Sequence, residues 1–226
     1  MDGMSGVRGG SGGDGTGWSL VVPLKPLEVA KSRLAAAGTV RPALALAFVL
    51  DTVGAALACA EVEDVTVVTD DPAAGAELAG LGAFVVADSP AAGLNAALRH
   101  GEATVRARRP HAPVAALNGD LPALRPAELA EVLRAAAGAC ERAFLADAAG
   151  TGTTLLCTVP CLPLAPGFGG ASRARHLASG AAEITLPAAP SVRQDVDTLE
   201  DLAAALALGV GPFTAVAAAA LTARGA

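Results

Sequence analysis

The chain has 226 residues, 53% of them apolar and only 3% aromatic, with no tyrosine and a formal net charge of −6. That length and apolar content support a sizeable core and exclude wholesale disorder. The acidic balance argues against a nucleic-acid surface, which needs a basic patch, and the scarcity of rings argues against base-stacking platforms.

Residues 1–17 are rich in Gly, Ser and Asp and read as a disordered leader with no core to join; residues 18–226 are expected to form one domain. Residues 18–23 read as a first strand, closed by Pro23 and followed by a loop carrying Lys25, Lys31 and Arg33. Residues 41–60 place Leu46, Val49, Leu50, Val53 and Leu57 at helical spacing, with Asp51 interrupting the run. A β-branched strand is expected over 65–69, ending at Asp70-Asp71-Pro72, where Pro72 suits the first turn of a helix. A third strand over 83–87 ends at Asp88, and 94–107 is helical. The apolar run 112–117 reads as a buried strand that delivers Asn118-Gly119-Asp120-Leu121-Pro122. Arg125-Pro126 opens a helix to about Ala137, and strands follow over 142–146, 153–159 and, at the sheet edge, 183–186. Thr198 and Asp201 resemble a capping box for a helix over 199–208 that Gly209 stops, and 213–221 extends a final helix. Strands alternating with helices predict an α/β fold: a mostly parallel, mixed sheet covered by helices on both faces.

No apolar run is long enough to span a membrane, and the first residues lack the apolar core of a signal peptide, so a cytoplasmic location is expected. Cys59, Cys140, Cys157 and Cys161 read as buried free thiols, and neither they nor His100, His111 and His176 have metal-ligand spacing.

Polar residues recur at the expected strand ends: Lys25, Asp70, Asp88, Asp120 and Asp195. Ligands of open α/β sheets gather at that edge, and a carboxylate there can share Mg²⁺ with substrate phosphates. Asp195-Val196-Asp197, expected at the end of another strand, places two carboxylates on one face if extended. Two such groups repel unless a cation or proton compensates. Asp120, Asp195 and Asp197 therefore point to metal-dependent phosphoryl or nucleotidyl transfer. Lys25, Lys31 and Arg33 have the charge to neutralise a triphosphate, although the loop lacks the glycines of a Walker or dinucleotide fingerprint and also reads as a solvated basic loop. Gly93-Leu94-Asn95 offers N–H groups and an amide to a base edge, or is a plain helix entry. Gly150-Thr151-Gly152-Thr153-Thr154 and Phe168-Gly169-Gly170-Ala171-Ser172 combine hydroxyls with glycines that admit close approach. With Ser172 as cap of a short helix, its N-terminus would suit a small phosphorylated or carboxylated acid.

In order along the chain, Val22-Pro23-Leu24-Lys25 with Ala30-Lys31-Ser32-Arg33-Leu34, Gly119-Asp120-Leu121-Pro122, Gly150-Thr151-Gly152-Thr153, Phe168-Gly169-Gly170-Ala171-Ser172 with Arg175-His176, and Asp195-Val196-Asp197-Thr198 form a set. This set resembles the phosphoenolpyruvate and 2-phospho-L-lactate guanylyltransferases of coenzyme F-420 biosynthesis, over about residues 18–213. The resemblance implies a nucleotide-diphospho-sugar transferase (GT-A, Rossmann-like) fold. It implies condensation of GTP with one of those three-carbon acids, releasing diphosphate. It implies Mg²⁺ on Asp120, Asp195 and Asp197, with the acid held by Thr153 (or Thr154), Gly169 and Ser172. Lys25, Lys31 and Arg33 would contact the nucleotide phosphates, Asn95 and Gly119 would lie beside the nucleotide, and Asp120, Lys25 and Lys31 would be catalytic. Gly170-Ala171 departs from the family, which often has Pro and an acidic residue or Gly there. The alternatives are a CTP-using nucleotidyltransferase and a non-catalytic nucleotide-binding regulator, told apart by base preference and diphosphate release. The partners expected are small molecules, with a homo-oligomer left open.

Overall fold

The computed structural model describes residues 17–25, 41–139 and 141–222. The expected leader (Gly17 apart), Lys31, Arg33 and Cys140 lie outside the described residues.

β1 (Trp18–Pro23) is buried along nearly its whole length, so it reads as a continuous apolar run rather than an alternation. It lies inside a sheet completed by β2 (Val62–Val68), β3 (Phe84–Val86), β4 (Val114–Leu117), β5 (Arg142–Ala146), β6 (Thr153–Thr158) and β7 (Ala182–Glu183), in the order β3-β2-β1-β4-β6-β5-β7. β1 pairs in parallel with β2 and β4, β2 with β3, and β5 with β7. β6 alone runs the other way, antiparallel to β4 and β5. The helices are α1 (Arg41–Leu57), α2 (Pro72–Gly80), α3 (Leu94–Arg108), α4 (Pro126–Ala139), α5 (Ser172–Ala178), α6 (Pro190–Arg193), α7 (Leu199–Leu208) and α8 (Pro212–Thr222).

Side chains alternate across β1. Leu20 and Val22 join Val49 and Val53 of α1 and Leu129 and Leu133 of α4 on one face. Val21 joins Leu98 and Val105 of α3 on the other. α3 lies so close that a Cβ on Gly101 would strike Val21 Cγ1 and sit 2.9 Å from Val68 Cγ2. A third cluster packs Leu44 and Phe48 of α1 against Leu202 and Ala205 of α7. α2 begins as expected: Asp71 Oδ1 accepts from the N–H groups of Ala73 and Ala74, with Pro72 in the first turn. Asp51 is buried because it caps α8, accepting from the N–H of Phe213 (3.1 Å) and of Thr214 (2.7 Å). The capping box of Thr198 and Asp201 is present at α7. No described helix is long and apolar enough to cross a membrane.

Four local expectations need correction. Residues 195–197 are not the end of a strand; they form the loop between α6 and α7. The edge strand is Ala182–Glu183 rather than 183–186. Ser172 is not a cap: Ala171 takes that position in the left-handed region (φ 55°) without a side-chain bond, and Ser172 is the first helical residue. Cys161 is exposed, 3.7 Å from His111 Nδ1, whereas Cys59 and Cys157 are buried.

Candidate active site

Because β1 to β4 are parallel, their carboxyl ends share one edge. Lys25, Asp70, Asp88 and Asp120 each follow their strand by two or three residues and so gather there. β6 is reversed, so its first residues reach the same edge: the Asn118 N–H donates to the Thr154 carbonyl (2.9 Å). Residues 195–197 arrive by a backbone bond, the Val196 N–H donating to the Asp120 carbonyl (3.1 Å), with the Val196 side chain fully buried as an anchor. The two acidic segments identified in sequence are thus neighbours in space.

The Asp120 turn is built from beneath. Thr52 Oγ1 accepts from the Leu121 N–H (3.0 Å) and donates to the Phe48 carbonyl (2.7 Å), and Leu121 is fully buried. Gly119 admits this close approach, since a Cβ there would lie 3.2 Å from Val22 Cγ1 and 3.3 Å from Val49 Cγ2. Among the described residues no three His, Cys, Asp or Glu side chains converge into a metal cage. The donor set still fits Mg²⁺, which prefers oxygen ligands and commonly takes one or two carboxylates, with substrate phosphates and water completing the shell.

Beside this edge, Lys25, Asp88, Val68, Gly93, Leu94 and Ala97 line a pocket. Asn95, one residue further along α3, uses its amide elsewhere: Oδ1 accepts from the Phe168 N–H (2.8 Å) and Nδ2 donates to the Phe168 carbonyl (3.0 Å). It ties the start of α3 to the glycine-rich loop that precedes α5.

That loop is organised around His176, which is 1% exposed. The Gly167 N–H donates to Nε2 (3.0 Å), so Nε2 is unprotonated and a neutral ring carries its hydrogen on Nδ1. Nδ1 then donates to Thr153 Oγ1 (2.9 Å), which leaves the Thr153 hydroxyl hydrogen available for an anion. Burial, then the charges of Arg142 and Arg175, hold the His176 pKa down to about 4, in keeping with a neutral ring. The Phe144 and Phe168 rings pack on it at 5.6 and 5.2 Å. Thr153, rather than Thr154, meets this histidine, because adjacent strand residues face opposite ways. Gly169 has φ 113°, which favours glycine, and Arg175 Nε donates to the Gly167 carbonyl (2.8 Å). Ser172 is buried at the start of the helix that carries His176. Arg173 joins this helix to the 150–152 turn, donating to the Gly150 carbonyl (3.2 Å) while paired with Glu183 (2.9 Å).

Thr153, Gly169 and Ser172 are therefore on one scaffold, and Asp120 and residues 195–197 are on the adjoining edge. Lys25 is exposed beside the pocket. Thr52 and His176 were not among the expected site residues. The only sequence signal for His176 was its place in the Arg175-His176 pair.

A mixed sheet with cationic and acidic groups at one edge and a hydroxyl-rich loop beside them is an arrangement suited to nucleotidyl transfer. Residues 44–185 match the MobA-like NTP transferase domain. A nucleotidyl transferase from Methanothermobacter thermautotroptrophicus shares the fold, with a TM-score of 0.59 and 22% identity over 86% of this chain and 98% of its own. Phosphoenolpyruvate guanylyltransferases from Streptomyces coelicolor and Streptomyces avermitilis are 67% and 66% identical, over 92% and 90% of this chain and 99% and 95% of theirs. The chain belongs to the phosphoenolpyruvate guanylyltransferase family, within the MobA-like NTP transferases, and is a nucleotidyltransferase.

Proposed function

We propose that this protein transfers a guanylyl group from GTP to phosphoenolpyruvate, a step toward coenzyme F-420, among the soluble phosphates of the cytoplasm. The observation that carries this reading is the Val196–Asp120 backbone bond, which brings two acidic segments together at the sheet edge that the Thr153 end of β6 also reaches. The near full-length likeness to phosphoenolpyruvate guanylyltransferases supports the choice of acceptor.

An acceptor phosphate oxygen attacks the α-phosphorus of GTP in line. A new phosphorus–oxygen bond forms, the bond from the α-phosphorus to the bridging oxygen of the β-phosphate breaks, and diphosphate leaves with that electron pair. The acceptor phosphate is already ionised, so no strong general base is needed. The Thr153 hydroxyl donates to the acid, with Gly169 and Ser172 completing its seat. Lys25, with Lys31 and Arg33, offsets charge on the departing diphosphate. Asp120, Asp195 and Asp197 would hold Mg²⁺, which when bound neutralises charge and aligns the two phosphates. Positioning supplies most of the acceleration.

Phosphorus NMR of the protein with GTP, Mg²⁺ and phosphoenolpyruvate tests the reading. New diphosphodiester signals and equimolar diphosphate are expected. No new phosphorus species from a folded protein that binds GTP would overturn it.

A further inference from the structure

Arg175 reaches back over the loop before α5 with donors to spare. Its side chain is exposed yet anchored: Nε donates to the Gly167 carbonyl (2.8 Å), and Gly167 is itself held through its N–H bond to His176 Nε2 (3.0 Å). A guanidinium carries five N–H donors, and neither Nη group of Arg175 has a hydrogen-bond partner among the described residues. Nη2 lies against Gly169: a Cβ there would be 3.4 Å from it, and no other group outside the adjoining residues comes within 4 Å of that position. The missing side chain thus leaves open space beside a fixed cation. The neighbouring arginines are spent. Arg173 gives Nε and Nη2 to Glu183 and Nη1 to the Gly150 carbonyl. Arg193 gives its Nη groups to the carbonyls of Ala146, Ile184 and Leu186, and Arg142 donates to Ser179, just past the end of α5.

We propose that the Nη edge of Arg175 binds the carboxylate of the acceptor acid. This inference rests on the guanylyl-transfer reading and adds the residue that tells a phosphorylated acid from other phosphate esters. To attack the α-phosphorus, the acceptor phosphate must lie at the acidic edge near Asp120. The carboxylate, on the far side of the acid from the attacking oxygen, then falls toward the loop that holds Gly169. Nη1 and Nη2 together present two parallel N–H groups in a plane, which match the two oxygens of a carboxylate. An ammonium or a hydroxyl offers no such fork. A charge-assisted pair of this kind is worth about 10- to 100-fold in affinity.

The test compares phosphoenolpyruvate with vinyl phosphate, the same enol phosphate without its carboxylate, on the full chain with GTP and Mg²⁺. Diphosphate release gives the KM for phosphoenolpyruvate and the inhibition constant of vinyl phosphate against it. The wild type should favour phosphoenolpyruvate by about 10-fold or more. Arg175→Gln should raise that KM about 10- to 100-fold while kcat, the KM for GTP and the vinyl phosphate constant hold, so the preference for the acid collapses. Arg175→Lys, which keeps the charge and loses the fork, should fall between the two and is the variant read if Arg175→Gln does not fold. Equal affinity of the wild type for both esters would overturn the proposal, and needs no variant. So would weaker binding of both esters together in the variant, which would make Arg175 a strut of the loop. A raised KM for GTP in place of that for the acid would make it a nucleotide ligand, and an unchanged preference would leave it no role; either overturns the proposal too. In each of these cases diphosphate is still released and the guanylyl reading survives. A folded wild type that releases no diphosphate overturns both.

Discussion

Asp120 sits on a turn held by one hydroxyl, that of Thr52, and by one backbone bond, that of Val196. Neither involves its carboxylate, so Asp120→Asn should fold normally and lose turnover by about 10²-fold or more, read as kcat beside an unchanged circular dichroism spectrum. Thr52→Val strands the buried Leu121 N–H and should cost about 1–3 kcal/mol in urea unfolding. His176 gives a pH signature. Its folded pKa of about 4 lies below the ordinary 6.5, so the stability tied to its neutral ring is complete above pH 6.5. It is lost progressively as the pH falls from 6.5 to 4, because the unfolded chain takes up the proton first. Urea midpoints at pH 7 and pH 4.5 should therefore differ less in His176→Asn than in the wild type. Of the candidate groups, Asp120 and Lys25 were legible in sequence as polar residues at expected strand ends, and Thr153 as one of the hydroxyls among the glycines of 150–154. Their supports were not, because Thr52 and His176 act across the fold through bonds that no local pattern encodes. Asn95 was legible as a polar group near the site, while its bond to Phe168 depended on the tertiary structure.

Among the elements, α1 and α8 illustrate what a sequence pattern hides. Asp51 looked like an interruption of an apolar helix, yet it caps another helix far along the chain. Asp51→Ala should destabilise the protein by about 1–3 kcal/mol, and hydrogen exchange should quicken first in α8, where two N–H groups lose their acceptor. α7 was readable from Thr198, Asp201 and Gly209 because its caps are local. α6 was not, since four residues carry no helical periodicity. The same segment misled the strand expectation for Asp195 and Asp197. Arg193 donates to the carbonyls of Ala146 (2.8 Å) and Ile184 (3.2 Å), which turns the chain back against the sheet before the loop begins. The short helix α5 was readable in place, but its cap was misjudged because Ala171 rather than Ser172 makes the turn.

Across the whole molecule, the alternation of apolar strands with amphipathic helices was sufficient to predict a mostly parallel sheet covered on both faces. The single reversed strand follows from the connection between β5 and β6: residues 147–152 are too few for a parallel crossover, so the two strands form a hairpin. That reversal brings Thr153 to the edge where Asp120 lies, and the site depends on it. The other requirement is close contact between α3 and the sheet at Gly101. Gly101→Val should force α3 away from Val21 and Val68 and cost about 1–3 kcal/mol, seen as a lower Tm.

The most direct measurement is the initial rate of diphosphate release from GTP and Mg²⁺ with phosphoenolpyruvate, with 2-phospho-L-lactate, and with neither acid. The account predicts saturable release with phosphoenolpyruvate, at a kcat/KM well above that for 2-phospho-L-lactate, and none without an acid. Equal release with and without an acid, or none from folded protein with GTP bound, would contradict it.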